Sequence, residues 1–174
     1  MNLPKRYAPV LVALHWIIFL LVFTEAALGI YVDNFVAPES KASLLGIHMI
    51  IGMVTLAVMI VRIFVRSKTP KPAHLTAGNA FFDFIGKLTH YGLYVFVILT
   101  TSTGMIAATQ GQLFQIIYGG VGQLPEDFMN ISTFIFHMIS LPLLILTIFL
   151  HIGAAFYHQL FLKDNLMDRM RFGK

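Results

Sequence analysis

Six histidines carry the chemistry this sequence can offer. The chain has seven, and His15, His48, His90, His137, His151 and His158 fall within or at the edge of long apolar stretches, while His74 alone sits in a polar connection. Ionisable side chains at membrane depth cost several kcal/mol unless they are paired. One such histidine is readily a satisfied core residue; six in four stretches need a common reason. Spacing supplies one. His137 and His151 are fourteen residues apart, which on a helix is about 21 Å of rise with the two side chains within about 40° of one face. His15 falls at the depth of His151, and His48 at the depth of His137. Two neutral imidazoles facing each other across a bundle are what bis-histidine ligation of a haem iron requires, with the second nitrogen of each ring held by a hydrogen-bond partner.

A haem is a large apolar disc, and small residues near the ligands would make room for it. Gly52 lies four residues after His48, Gly29 fourteen after His15, and Gly104 deep in the third stretch. Close packing of membrane helices uses glycines in the same way. A His-based metal-ion transporter is the competing reading. Zinc sites usually mix histidine with carboxylates at one depth, whereas here Glu25 is the sole carboxylate expected inside a span and the histidines fall at two levels.

The elements that must position these residues follow from composition. The chain has 174 residues, 57% of them hydrophobic and 11% charged, against about 45–50% and about 25% in soluble domains. A soluble fold with so little charge would expose large apolar patches. There is no cysteine, which excludes disulfides, iron–sulfur clusters, thiolate zinc and covalent haem attachment. The expectation is an all-α integral membrane four-helix bundle forming a single domain over residues 1–174. A span needs about 20 mostly apolar residues, and four stretches qualify, roughly 9–32, 43–65, 87–108 and 131–162. The fourth exceeds a span, so its end should project or tilt, and Pro142 inside it should kink it. Lys5 and Arg6 before the first stretch resemble a signal-peptide n-region, but His15, Trp16 and Glu25 and the lack of an A-x-A site favour a retained span.

Short-loop Lys and Arg set orientation. Lys5 and Arg6 precede span one; Arg62, Arg66, Lys68, Lys71 and Lys87 bracket the link between spans two and three; Lys163, Arg169, Arg171 and Lys174 follow span four. The opposite loops have Lys41 against Asp33, Glu39, Glu126 and Asp127. Both termini are therefore expected in the cytoplasm. The net charge of +4 reflects this topology, and no nucleic-acid motif accompanies it. Residues 66–80 read as an extended cytoplasmic loop, and residues 109–130 as an outer loop lying on the membrane surface. Glu25, near the outer haem level, is expected to be uncharged. It would donate to a backbone carbonyl, a propionate or a water and make the outer potential vary with pH; otherwise it reaches the headgroups.

The chain resembles the bacterial cytochrome b561 family along nearly its whole length. The likeness rests on Leu14-His15-Trp16, His48 opening span two, Arg62 to Arg66 followed by Pro70 and Pro72, Lys87–His90, and the His137–His151 spacing. The closing Tyr157-His158 and Lys163-Asp164-Asn165 add to it. The fourteen-residue histidine pair is also similar to the cytochrome b subunits of membrane formate dehydrogenases and hydrogenases. The family resemblance implies a bacterial inner-membrane protein with two non-covalent haem b groups, His15 and His151 holding the cytoplasmic-side haem and His48 and His137 the outer one. It implies a quinone, ubiquinone first, near the cytoplasmic side, with His90 and His158 as the candidate site; water-satisfied interfacial histidines are the plainer reading of both. Arg62, Arg66 and Lys87 stand where cations could hold propionates or a quinone oxygen, although snorkelling and topology signalling also account for them.

Three functions stay open. One is an oxidoreductase that takes electrons from superoxide outside and reduces quinone. The second is a carrier between quinol and a periplasmic redox protein, and the third a haem-bearing membrane anchor of a larger dehydrogenase. The acidic outer loops disfavour steering of a superoxide anion and suit a basic redox partner.

Overall fold

The computed structural model describes residues 4–173, except for the side chains of Pro38 and Glu39. Lys174 and the Glu39 carboxyl, both used above in the orientation argument, lie outside the described residues. The fold is all-helical: α1 Pro9–Phe35, α2 Pro38–Lys68, α3 Ala80–Gln110, the short α4 Leu113–Gly119, and α5 Ser132–Tyr157. Four of these stretches are long and apolar enough to cross a membrane, the last extending to Leu162. Their large apolar side chains point outward, as with Leu20, Ile60, Leu146 and Phe149, which suits helices whose solvent is lipid.

The first three long helices overshoot the apolar stretches that announce them, while the fourth stays within its own, 131–162. The third is the clearest case, starting at Ala80 rather than near Lys87. The Asn79 side chain accepts from the Phe82 amide at 2.9 Å, an N-cap. Asp83 accepts from the Ala77 amide at 2.6 Å and the Thr76 hydroxyl at 2.8 Å. Capping, not hydropathy, sets that boundary. The expected extended link shortens accordingly, to residues 69–79. α5 runs unbroken through Pro142 and ends in a π-helical turn, His158–Leu162, closed by Lys163 at φ 52°.

α1 packs on α2, α2 on α3, and most extensively α3 on α5. Among the described residues the backbones of α1 and α2 scarcely approach α5, so a crevice separates the α1–α2 pair from α5. Ile18, Val22, Met59, Val97 and Leu144 close it at mid-depth as a buried apolar layer. Leu144 is halfway between His137 and His151, so this layer divides two histidine levels. The buried hydroxyls near it are satisfied: Thr100 donates to Ser140 at 2.9 Å, Ser140 to the His137 carbonyl at 2.9 Å, and Thr147 to the Leu143 carbonyl at 2.7 Å.

At the end bearing both termini, the segment after α5 folds back as a strap. The Trp16 indole donates to the Met170 carbonyl at 3.0 Å, Arg6 to the Gly173 carbonyl at 3.0 Å, and the Tyr7 amide to the Arg169 carbonyl at 3.2 Å. Arg169 in turn donates to the Ala73 carbonyl in the α2–α3 link. At the opposite end α4 docks on α2, with Leu113 buried and the Tyr118 hydroxyl donating to the Gly46 carbonyl at 2.7 Å. The outer loop is therefore held to the bundle and not only laid on a surface.

Candidate functional site

The two histidine levels each contain an opposed pair. His48 of α2 and His137 of α5 have ring centroids 6.3 Å apart; His15 of α1 and His151 of α5 have theirs 6.0 Å apart. Imidazoles that hold one metal from opposite sides, each nitrogen about 2 Å from it, bring their centroids to roughly 6 Å. His90 of α3 also approaches His151, but with ring centroids 5.0 Å apart, closer than such an arrangement allows.

The outer pair is set in a cradle that side chains would fill. A Cβ on Gly104 would lie 2.9 Å from His137 Nδ1, and one on Gly29 3.1 Å from His48 Cε1. His137 Nδ1 donates to the Thr100 carbonyl at 2.8 Å. Because a carbonyl only accepts, this bond fixes the tautomer and leaves Nε2 with its lone pair free for a metal. Cavities of about 710 and 1190 Å³, counted with their open mouths, both reach Glu25, His48 and His137. Their linings are mainly apolar, and among the described residues Lys41 is the only Lys or Arg in them. An apolar disc carrying two carboxylates fits this site: ligands at the right separation, glycine clearance, apolar walls and one cation at the outer end.

The inner pair is surrounded differently. Arg62 is buried at 8% exposure, and its guanidinium donates to the Leu11 carbonyl at 2.9 Å. This is more than snorkelling, since the charge stays inside the bundle end beside His15, His90 and His151. Arg66 stacks over the Tyr7 ring at 5.2 Å, whereas Lys87 is exposed.

His90 and His158 have distinct settings. His90 is exposed on α3 and its Nδ1 donates to the Gly86 carbonyl at 2.8 Å. His158 is buried in the π-helical turn, and its Nδ1 meets Asp164 Oδ2 at 2.6 Å. Asp164 is itself oriented by the Leu166 amide at 3.1 Å. His158 is thus satisfied by protein rather than by water alone, and both rings keep Nε2 for another partner. His74 is exposed in the link.

Two residues of this site were only half legible beforehand. Glu25 turns inward, its Oε1 3.5 Å from His48 Nδ1, and does not reach the headgroups. Asp164 stands in the sequence as part of the run Lys163-Asp164-Asn165, and its partnership with His158 depends on the π-helical turn between them. Among the described residues no three His, Asp or Glu side chains gather closely enough to hold a bare metal ion.

The family described as Prokaryotic cytochrome b561 matches residues 6–173. A protein of Yersinia pestis named as a probable superoxide oxidase, CybB, is 25% identical over 170 residues, covering 95% of this chain and 96% of its own length.

Proposed function

The chain belongs to the prokaryotic cytochrome b561 family, haem b-binding electron-transfer proteins of the bacterial inner membrane, and from that premise we propose that it oxidises superoxide on the outer side and delivers the electrons to a quinone on the cytoplasmic side. The observation that carries the reading is the pair of opposed imidazole couples at two depths, 6.3 and 6.0 Å across, with an apolar layer between them. His48 and His137 would hold the outer haem, His15 and His151 the inner one. When bound, the haems supply one-electron exchange between ferric and ferrous iron.

The chain's own residues do the rest. Lys41 stands in the outer cavity as the cation that offsets the surrounding acids for a small anion. The Thr100 carbonyl keeps His137 in the ligating tautomer. Arg62 holds positive charge beside the inner pair. The Lys/Arg excess at the end bearing both termini supports a cytoplasmic placement for it. There His90 and His158, each with Nδ1 engaged, present Nε2 to a quinone oxygen: protonated, it donates; neutral, it accepts from a hydroquinone hydroxyl. Two superoxide anions lose one electron each and leave as dioxygen. The two electrons, with two protons taken from the cytoplasmic side, convert one quinone to hydroquinone.

Stopped-flow mixing of superoxide with the oxidised, haem-loaded protein tests this. The haem α-band should appear on mixing and decay when ubiquinone is added. Reduction by dithionite but not by superoxide would overturn the superoxide step and leave electron exchange with a periplasmic redox protein. Lys41→Glu should slow the superoxide step several-fold, more at low than at high ionic strength.

The cradle makes its own prediction. Gly104→Ala places a methyl group 2.9 Å from His137 Nδ1, so the ring must shift from the position in which it meets the Thr100 carbonyl. Outer-haem occupancy should fall, by pyridine haemochrome assay. Gly153→Ala, where a Cβ meets nothing within 4 Å, should leave haem content unchanged.

A further inference from the structure

The outer histidines are held unequally. His137 has the Thr100 carbonyl. His48 Nδ1 is buried and, among the described residues, has no hydrogen-bond partner; the same is true of Glu25 Oε2. Buried polar atoms without partners are rare and costly, and these two side chains face each other, with Glu25 Oε1 3.5 Å from His48 Nδ1 and side-chain exposures of 15% and 18%.

Their meeting is built from both helices. Four residues after Glu25 on α1 is Gly29, whose Cβ would lie 3.1 Å from the His48 ring. Four residues after His48 on α2 is Gly52, whose Cβ would lie 2.8 Å from Glu25 Oε1. Residues i and i+4 share a helix face, so each helix offers one polar side chain and, one turn on, one notch. The histidine of α2 enters the notch of α1, and the carboxyl of α1 enters the notch of α2. A glutamate packed for helix association alone would not need a glycine opposite its carboxyl oxygen.

We propose that Glu25 is a positioning residue for the outer haem, its carboxyl oxygen accepting from His48 Nδ1–H and so fixing the ring's tautomer and rotation for ligation through Nε2. The inference rests on the reading of His48 as an outer ligand. The 3.5 Å separation is longer than a hydrogen bond, and such contacts commonly tighten when the site is loaded. Partners of this kind typically contribute about 10–100-fold to metal affinity.

The test uses the haem-loaded protein and follows haem transfer to excess apomyoglobin together with the low-spin EPR signal of each haem. Glu25→Ala should speed loss of the outer haem about 10–100-fold and change the outer EPR signal, with the inner signal unchanged. Glu25→Gln, which keeps an acceptor oxygen, should restore slow loss. Gly52→Ala, which pushes the carboxyl from its notch, should reproduce Glu25→Ala. Should Glu25→Ala fail to fold, the contrast between slow loss in Glu25→Gln and accelerated loss in Gly52→Ala decides. Unchanged outer loss and EPR in Glu25→Ala, with His48→Ala still losing the outer haem, would overturn the positioning role alone. Retention of both haems in His48→Ala would overturn the ligand assignment and this inference with it.

Discussion

Replacing His151 by alanine should lower haem content from two per chain to one. His15 would be left facing an alanine across the crevice. His90, the other ring beside His151, approaches it at 5.0 Å from α3. The outer pair lies fourteen residues up α5, beyond the layer of Ile18, Val22, Met59, Val97 and Leu144, so its haem should stay. Pyridine haemochrome analysis measures the count, and a redox-titrated visible spectrum should show one midpoint in place of two. Two haems retained in the variant would remove His151 from the ligand set. Loss of both would mean that the bundle depends on the inner haem to fold.

The second large effect concerns exchange with quinone. His90→Ala and His158→Ala should each leave both haems bound and slow reoxidation by ubiquinone by roughly 10²–10⁴-fold, the range of general acid–base catalysis. His158 is the more sharply placed of the two. It is buried, held at 2.6 Å by Asp164, and Asp164 is in turn fixed by the Leu166 amide at 3.1 Å. Asp164→Asn should therefore slow the same step while keeping haem content, because the ring loses its carboxyl partner but not its location. Loss of a haem in His158→Ala would show that His158, not His151, is the inner ligand. Unchanged quinone kinetics in both histidine variants would place the quinone elsewhere.

Much of this arrangement was legible in the chain. The fourteen-residue interval between His137 and His151 is a helical period, and two rings on one helix at two heights call for two partners at those heights. The rises from the ends of α1 and α2 to His15 and His48 supply them. What single-helix patterns leave open is rotation between helices. Nothing within α1 says that Glu25 faces α2; only the matched Glu-x-x-x-Gly and His-x-x-x-Gly intervals, read together on antiparallel neighbours, point there. The π-helical turn hides the pairing of His158 with Asp164 in the same way, since a regular helix would carry residue 164 to another face. Hydropathy places the start of α3 too late because it marks the lipid-facing part of a helix, whereas Asn79 and Asp83 mark its true beginning.

The apolar layer between the histidine levels has an electrical consequence. It is the low-dielectric part of the bundle, so a transmembrane voltage falls largely across it. Rise along α5 sets the levels about 21 Å apart, roughly two thirds of a hydrocarbon core of about 30 Å. A unit charge crossing the full core gains or loses about 2.3 kcal/mol per 100 mV, so an electron passed between the levels exchanges about 1.6 kcal/mol with the field per 100 mV. That is on the order of tenfold in the equilibrium between them. With the cytoplasm negative, inward transfer runs uphill, so if electrons run to a cytoplasmic-side quinone as proposed, an energised membrane would restrain a flow that a collapsed one permits.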